Sequence, residues 1–236
     1  MYDEFIRRMD EKSFAKYIDH TLLKPQMTIN DVKKAIDHYK KYGFATLVLS
    51  PYYIDVVRKL GVADVRLCSV VGFPLGSVST SVKVFEAKEL LEKGVCEIDM
   101  VMNITAFKSR DYSYVVNDIK SVVDVAKSYN AIVKVIIETG LLTDEEKVKA
   151  AELIINAGAD YVKTSTGFIA GGATVHDVRL LKEASQGRIK VKAAGGIRHA
   201  YDAIAMILAG ADRIGTSTGV QIIEEYYLLR RNVIKE

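Results

Sequence analysis

The stretch Gly158-Ala-Asp-Tyr-Val-Lys163-Thr-Ser-Thr-Gly-Phe168 predicts a helix-ending glycine, a short strand, and a loop of small residues before the next helix. Side chains alternate along a strand, so Tyr161 and Lys163 share one of its faces. A single lysine at a strand end is usually a solvated residue at the rim of the fold. The function of Lys163 therefore depends on what the other strands place beside it.

The same order of strand, loop and helix recurs along the chain. The predicted strands are 17–23, 44–49, 65–71, 96–103, 131–138, 159–164, 189–194 and 211–215. The predicted helices that follow them are 29–42, a helix from Pro51 onward, 80–93, 112–129, 143–157, 174–185, 198–209 and 218–231. Residues 1–16 predict a short N-terminal helical arm. Apolar strands that alternate with amphipathic helices indicate a parallel sheet covered by helices.

Eight such units in a chain of 236 residues favour an α/β fold of the (β/α)8 TIM-barrel type, ahead of an open, doubly wound sheet. With only 3 prolines and 16 glycines, the chain has no room for a long flexible linker. We therefore expect a single barrel domain that spans residues 1–236.

The composition narrows the classes of function. The net charge of +3 is spread along the chain without a basic block, so binding to nucleic acid is not indicated, while a small anionic substrate is compatible. Residues 1–16 mix acids and bases unlike a signal peptide, and we predict no membrane span. Cys68 and Cys96 lie in apolar runs, where we expect buried, reduced thiols. These features are typical of a cytoplasmic protein.

A fixed spacing links helix-ending glycines to strand ends. Five glycines, at positions 43, 94, 158, 187 and 210, precede a strand end by the same distance. The residues placed there are Val48, Asp99, Lys163, Lys192 and Gly215. The carboxyl ends of the strands are where barrel enzymes build their sites, so two lysines and a carboxylate at one depth indicate a catalytic cluster. A purely structural ion cluster is the alternative.

Two glycine-rich loops follow the seventh and eighth predicted strands. They carry Gly195 and Gly196 in one case, and Gly215, Thr216 and Ser217 in the other. Backbone N–H groups at glycines and helix N-termini bind anions, and phosphate sites of barrels commonly lie after these two strands.

The loop after the sixth strand resembles these two. Its Thr166 and Gly167, with Gly171 and Gly172 further on, could form a third wall of the same anion site.

Metal and redox chemistry have little support in the sequence. The four histidines, His20, His38, His176 and His199, lack the spacing of a ligand set, and no metal site is predicted. A dinucleotide-binding fingerprint after the first strand is also lacking. Glu97 and Lys134 point inward on neighbouring strands, and we expect a structural ion pair between them.

Seven ordered motifs carry a resemblance to a known family over nearly the whole chain. They begin at Asp19-His-Thr-Leu-Leu-Lys-Pro25 and include Glu97-Ile-Asp-Met-Val101 and Val162-Lys-Thr-Ser-Thr-Gly-Phe168. The others are Val71-Gly-Phe-Pro-Leu-Gly76, Lys134-Val-Ile-Ile-Glu-Thr139, Val191-Lys-Ala-Ala-Gly-Gly-Ile-Arg198 and Arg213-Ile-Gly-Thr-Ser217. By these residues the chain resembles the deoxyribose-phosphate aldolases, which are class I aldolases with a (β/α)8 barrel.

The resemblance implies reversible cleavage of 2-deoxy-D-ribose 5-phosphate to D-glyceraldehyde 3-phosphate and acetaldehyde. It implies Lys163 as the Schiff-base lysine, Lys192 as its neighbouring lysine, and Asp99 as the acid/base partner. The implied substrate-binding residues are Asp19, Thr21, Thr166, Gly167, Gly195, Gly196, Gly215, Thr216 and Ser217, with Asp19 and Thr21 at the entrance. It implies no metal and no organic cofactor, and a homodimer or homotetramer.

The chemistry accounts for a pair of lysines. An amine attacks a carbonyl carbon only when it is unprotonated, whereas the ordinary pKa of lysine is about 10.4. A second ammonium group and partial burial lower the pKa of the nucleophile toward neutral pH, and Lys192 is the candidate for that second group.

Three features depart from the family pattern. Val48 stands where many members carry a cysteine, and Phe168 stands where some bacterial members carry a lysine. The last residues, Asn232 to Glu236, include no tyrosine of the kind that some members fold over the site. The alternatives are another lysine-dependent aldolase acting on a phosphorylated sugar, a phosphate-binding barrel isomerase, and a non-catalytic barrel that binds sugar phosphates.

Overall fold

The structure, a computed structural model, describes residues 1–169 and 171–235. These residues form eight strands: β1 (Ile18–Leu22), β2 (Thr46–Leu49), β3 (Leu67–Val71), β4 (Glu97–Val101), β5 (Ile132–Ile136), β6 (Tyr161–Lys163), β7 (Lys190–Ala194) and β8 (Arg213–Thr216). Each strand pairs in parallel with the next, and β8 pairs with β1, so the sheet closes into a barrel. The predicted (β/α)8 barrel is confirmed.

The described residues also form eleven α-helices and a 3₁₀ turn at Thr139–Leu141. The helices are α1 (Tyr2–Arg8), α2 (Glu11–Ala15), α3 (Ile29–Tyr42), α4 (Pro51–Lys59), α5 (Thr80–Glu92), α6 (Ile104–Lys108), α7 (Tyr112–Ser128), α8 (Asp144–Ala157), α9 (Val175–Ser185), α10 (Ala200–Leu208) and α11 (Gly219–Lys235). None of these helices has the length and apolar character needed to cross a membrane.

Capping explains why several predicted helix ends are correct. The side chain of Thr28 accepts the N–H of Asp31 in a capping box that starts α3. Gly43 ends that helix with φ of 69°, and Gly158 ends α8 with φ of 78°, conformations that favour glycine. These glycines fix where the following strand begins, which is why the spacing in the sequence carries over into the barrel.

Several predicted strands extend beyond the observed ones, and the short helix α6 was not predicted. The strand expected over 96–103 ends at Val101, because the side chain of Asn103 caps the N-terminus of the short helix α6. Its amide oxygen accepts the backbone N–H of Ala106 at 3.0 Å. At the other end of the chain, α11 continues to Lys235, beyond the predicted end at 231.

The N-terminal arm consists of α1 and α2, and it packs against α11. The ring of Phe14 stacks on the ring of Tyr226 with centroids 3.9 Å apart, and both side chains are buried. The hydroxyl of Tyr226 donates to the carbonyl of Met9 at 2.8 Å. Aromatic stacking with a satisfied hydroxyl therefore ties the first helices to the last one.

Candidate active site

The strands bring the three predicted catalytic residues together. Lys163 and Lys192 are partners in the β6–β7 ladder, whereas Asp99 is paired with Lys134 across β4 and β5. Barrel strands are tilted and staggered, so residues offset in the ladder can reach the same height. As a result, Nζ of Lys163 lies 2.8 Å from Asp99 Oδ2, and Nζ of Lys192 lies 2.7 Å from the same oxygen.

Asp99 is the centre of this cluster, which consists of Asp99, Lys163, Lys192 and Lys134. The carboxylate is fully buried, and its second oxygen accepts from Nζ of Lys134 at 2.9 Å. Burial alone would raise the pKa of Asp99, but the charges of the three lysines outweigh it and hold the pKa well below its usual value. Asp99 is therefore a carboxylate at neutral pH.

The two lysines on that carboxylate oxygen differ in their proton affinity. Burial lowers the pKa of Lys163, and the charge of Lys192 lowers it further, against the opposing effect of Asp99. Burial also acts on Lys192, but Asp19 and Asp99 outweigh it and raise the pKa of Lys192. Lys163 is thus the amine that loses its proton more easily, beside an ammonium group that keeps its own.

Asp19 does not occupy the entrance, where it was expected. Its side chain is fully buried, and Oδ2 lies 2.5 Å from Nζ of Lys192 in an ion pair rather than a directed hydrogen bond. Its other oxygen accepts from Arg213 at 2.6 Å and from the hydroxyl of Thr46 at 2.7 Å. These contacts hold Asp19 beneath the cluster, where it stabilises the charged form of Lys192.

The predicted ion pair between Glu97 and Lys134 is present, with a separation of 2.6 Å between fully buried groups. It is not separate from the site, because Lys134 also bonds to Asp99. Arg213 contacts Glu97 as well, at 3.5 Å. The charged groups inside the barrel therefore form one continuous network.

A cavity of about 410 Å³ opens beside Lys163. The predicted substrate-binding residues that line it are Thr21, Thr166, Gly167, Gly195, Gly196, Gly215, Thr216 and Ser217. Among the described residues of the Asp99 cluster, Lys163 is the one that reaches the cavity wall. Asp99, Lys192 and Asp19 lie behind that wall.

Close packing requires glycine in this wall and directly behind it. A Cβ on Gly172 would lie 2.8 Å from the carbonyl oxygen of Gly195, and a Cβ on Gly215 would lie 3.0 Å from Cε of Lys192. The loops after β6 and β7 can therefore approach each other, and the stem of Lys192 passes over Gly215. The cavity borders the segments that lead into α10 and α11, whose N-terminal N–H groups favour an anion.

Two cations on the cavity wall were not singled out from the sequence. Lys24 and Arg198 line the cavity, both are exposed, and neither forms an ion pair with a carboxylate within the described part of the chain. Lys24 follows β1 and Arg198 precedes α10. The motifs that contain them could have drawn attention to both, but the reach of an exposed loop side chain does not follow from periodicity.

The remaining predicted positions have simpler surroundings. Val48 is fully buried and pairs with Cys68 in the β2–β3 ladder. The thiol of Cys68 lies 3.3 Å from Asp99, and burial raises its pKa well above the usual value, so it stays protonated. Phe168 is half-exposed and packs edge-on against Phe73 at the cavity mouth, with centroids 5.1 Å apart.

Cys96 differs from the expectation, since it is only partly buried. Its Sγ donates to the carbonyl of Leu67 at 3.3 Å.

Asp144, His176 and Asp177 offer ligand atoms close enough together to hold a metal ion, on α8 and α9. The ammonium group of Lys147 bonds to both carboxylates, at 2.9 and 2.6 Å, and supplies the positive charge between them. The group is therefore accounted for as a link between the two helices.

The fold and the site together define a (β/α)8 barrel with an amine of lowered pKa beside a glycine-walled cavity. Comparison with known proteins identifies the family: the model of the DeoC/LacD family aldolases matches residues 13–225. The chain belongs to the DeoC/LacD aldolase family, and it is an enzyme of the lyase class.

Individual relatives agree with the family. The chain is 55% identical to a deoxyribose-phosphate aldolase of Thermococcus kodakarensis, over 92% of this chain and 98% of the relative. It is 52% identical to one from a Thermoanaerobacter species, over 92% and 99%. A solved structure described as a tetrameric deoxyribose phosphate aldolase from Aeropyrum pernix has a TM-score of 0.87 at 38% identity, with 96% of each chain covered.

Proposed function

We propose that this aldolase reversibly cleaves 2-deoxy-D-ribose 5-phosphate to D-glyceraldehyde 3-phosphate and acetaldehyde through a Schiff base on Lys163. The observation that carries the proposal is the position of Lys163, whose Nζ bonds to Asp99 while its side chain lines the cavity. The names of the relatives support the substrate. A single catalytic domain over residues 1–236 is part of the same proposal.

The first step is attack by the unprotonated amine of Lys163 on C1, the aldehyde carbon of the open-chain sugar. Loss of water then gives an iminium ion that links Nζ to C1. Burial and the charge of Lys192 both lower the pKa of Lys163, which increases the fraction of free amine at neutral pH. Lys192 stays charged beside it, because Asp19 and Asp99 raise its pKa.

The second step breaks the C2–C3 bond. The carboxylate of Asp99 removes the proton from the C3 hydroxyl through a water molecule held by the ammonium group of Lys192. The electron pair of the C2–C3 bond moves into the iminium group. D-Glyceraldehyde 3-phosphate leaves, and an enamine remains on Lys163. Protonation at C2 and hydrolysis of the resulting imine release acetaldehyde and restore the amine.

The phosphate group binds among the glycine loops. Gly195, Gly196 and Gly215 line the cavity without side chains that would cover the backbone, and Thr216 and Ser217 lead into α11. Arg198 adds positive charge on the same wall. An anion at this position is favoured by the N-terminal dipoles of the helices that follow.

The proposal includes a homo-oligomer, either a dimer or a tetramer, which acts in the cytoplasm. The tetrameric relative supports self-association, and α5 exposes Phe85 and Val82 to solvent. Two free cysteines are typical of a reducing compartment. Light scattering on the purified protein would give the number of subunits.

Borohydride trapping tests the Schiff base. The protein treated with acetaldehyde and borohydride is expected to gain a reduced two-carbon adduct on Lys163, located by peptide mass spectrometry. Lys24→Ala is the matched control, because it removes another lysine of the same cavity and should leave the adduct in place. An unmodified Lys163 in the wild-type protein would refute the proposed mechanism.

The substrate is tested separately. Release of acetaldehyde from 2-deoxy-D-ribose 5-phosphate is the expected outcome. Trapping at Lys163 without that release would instead indicate another lysine-dependent aldolase that acts on a different phosphorylated sugar.

A further inference from the structure

Glu138 has a backbone conformation that is unusual for its residue type. It lies two residues after β5, which ends at Ile136. Its φ of 54° and ψ of 70° fall in the left-handed region. The other non-glycine residues with positive φ in the described part of the chain are Arg110, Asn130 and Gln186, and all three are exposed. Glu138 is fully buried. A strained backbone at a buried carboxyl group indicates a role that depends on this conformation.

The side chain of Glu138 is bonded to one residue of the next loop. Its Oε2 accepts the backbone N–H of Thr166 at 3.0 Å and the hydroxyl of Thr166 at 2.7 Å. No lysine, arginine or histidine of the described residues forms an ion pair with this carboxylate. The buried carboxyl group is therefore held through Oε2 by two hydrogen bonds to Thr166, while Oε1 has no hydrogen-bond partner among the described residues.

The contact spans the loops that follow β5 and β6. The backbone N–H of Ile137 donates to the carbonyl of Lys163 at 3.0 Å, and the N–H of Thr139 donates to the carbonyl of Thr164 at 2.9 Å. Glu138 lies between these two bonds, and its own side chain continues the connection to Thr166. The segment that begins at Lys163 is thus held to the end of β5 at three successive points.

The loop held in this way forms part of the cavity wall. Thr166, Gly167 and Phe168 all line the cavity, and the hydroxyl of Thr166 accepts the N–H of Phe168 at 3.1 Å. A Cβ on Gly167 would lie 3.9 Å from Cα of Gly195, in the glycine loop after β7. By holding Thr166, Glu138 therefore fixes part of the wall where we propose that the anionic end of the substrate binds.

We infer that Glu138 is a positioning residue that sets substrate affinity by fixing the loop from Thr164 to Phe168, an inference that rests on the proposed function. Glu138 does not line the cavity and so acts through Thr166. Its left-handed backbone directs the side chain toward that loop, and its hydrogen bonds hold Thr166 in place. The amine of Lys163 lies before the loop and reacts without it.

Two variants of Glu138 test whether the length of the side chain or its carboxyl group is what matters. Glu138→Asp keeps the carboxyl group but shortens the reach, so the bonds to Thr166 are lost, and KM for 2-deoxyribose 5-phosphate is expected to rise about tenfold. Glu138→Gln keeps the reach, and its amide oxygen can accept both bonds, so KM is expected to stay within about threefold of wild type. In both variants kcat and the borohydride trapping of acetaldehyde on Lys163 should be nearly unchanged.

Gln186→Gly is the matched control for backbone strain, because Gln186 also has a positive φ, of 47°, but lies at the exposed end of α9. It should change neither KM nor kcat. A wild-type KM in Glu138→Asp, or a KM in Glu138→Gln as high as in Glu138→Asp, would overturn the positioning role. Absence of trapping in the wild-type protein would instead refute the proposed function itself, so the two failures are distinguishable.

Discussion

Two regions of the molecule bury a lysine against an aspartate, and they differ in what surrounds the pair. Between α5 and α7, Lys83 lies 2.5 Å from Asp118, and both side chains are fully buried. Lys83 also donates to the carbonyl of Val101, and Asp118 also accepts from the hydroxyl of Thr80. This pair is one cation with one anion, each partner has a further hydrogen bond, and neither lines the cavity beside Lys163.

In the barrel, by contrast, three lysines share the carboxylate of Asp99, and one of them reaches a cavity. Burial and the charge of Lys192 lower the pKa of Lys163, against the opposing effect of Asp99. Burial of a charged pair therefore does not distinguish the Asp99 cluster from the pair of Lys83 and Asp118. The cluster differs because three lysines share one carboxylate and because one of them, Lys163, borders a cavity.

The largest expected effect is a loss of catalysis, and it is confined to the Asp99 cluster. Lys163→Ala removes the proposed nucleophile and is expected to lower kcat/KM by about 10⁴-fold or more. The fold should survive, because Asp99 keeps its ion pairs with Lys134 and Lys192 when the side chain of Lys163 is lost. Steady-state kinetics of acetaldehyde release, with circular dichroism for the fold, would check this. Substantial turnover in the folded variant would contradict the assignment.

The second prediction concerns stability in the outer region. Lys83→Met leaves Asp118 buried without its cation and is expected to reduce the free energy of unfolding by about 3–5 kcal/mol. The double variant Lys83→Met/Asp118→Leu should recover most of that loss, since it removes both charges. Denaturant unfolding would measure both variants.

The catalytic rate provides the other half of this test. At a temperature where Lys83→Met is folded, kcat/KM and its pH dependence should match the wild-type values. A folded variant with a shifted pH profile would show that the outer pair influences the Asp99 cluster after all.

The third prediction concerns the charge balance in the cluster. Lys192→Met removes the ammonium group that lowers the pKa of Lys163, so that pKa rises and less free amine is present at neutral pH. The acidic limb of the pH profile of kcat/KM should move to higher pH, with a loss of about 10²–10³-fold at pH 7. An unshifted limb would mean that burial alone sets the pKa of Lys163.

The barrel and its three central residues could be predicted because the signals are local. Helix-ending glycines such as Gly158 fix where a strand begins, and strand alternation then decides which side chains point inward. The depth of Asp19 could not be obtained in this way. No capping glycine precedes β1, and its height depends on the pairing of Asp19 with Gly215 when the barrel closes.

Glu138 and Lys24 illustrate two other limits. A left-handed conformation is predictable for glycine but not for a glutamate, because it depends on tertiary contacts such as those with Thr166. Lys24 lies in an exposed loop, where neither periodicity nor capping determines the direction of a long side chain. Both positions required the assembled barrel to be recognised.

The smallest expected effect concerns that exposed lysine. Lys24→Ala removes one positive charge from the cavity wall, and KM for 2-deoxyribose 5-phosphate is expected to rise about twofold to fivefold, as for an exposed charge pair. The effect should shrink as salt is added, because the interaction is screened. KM for unphosphorylated 2-deoxyribose should not change, because that sugar lacks the anionic group.

Lys33→Ala is the matched control, since Lys33 is also exposed but lies on α3 and does not line the cavity. It removes the same charge from the protein as a whole, and KM should stay at the wild-type value. An equal rise in KM in both variants would mean that net charge, not the place of Lys24, attracts the substrate. A rise in KM in Lys24→Ala alone would assign the effect to the cavity wall beside Lys163. Lys163 of the buried Asp99 cluster borders this cavity, whereas the pair of Lys83 and Asp118 does not.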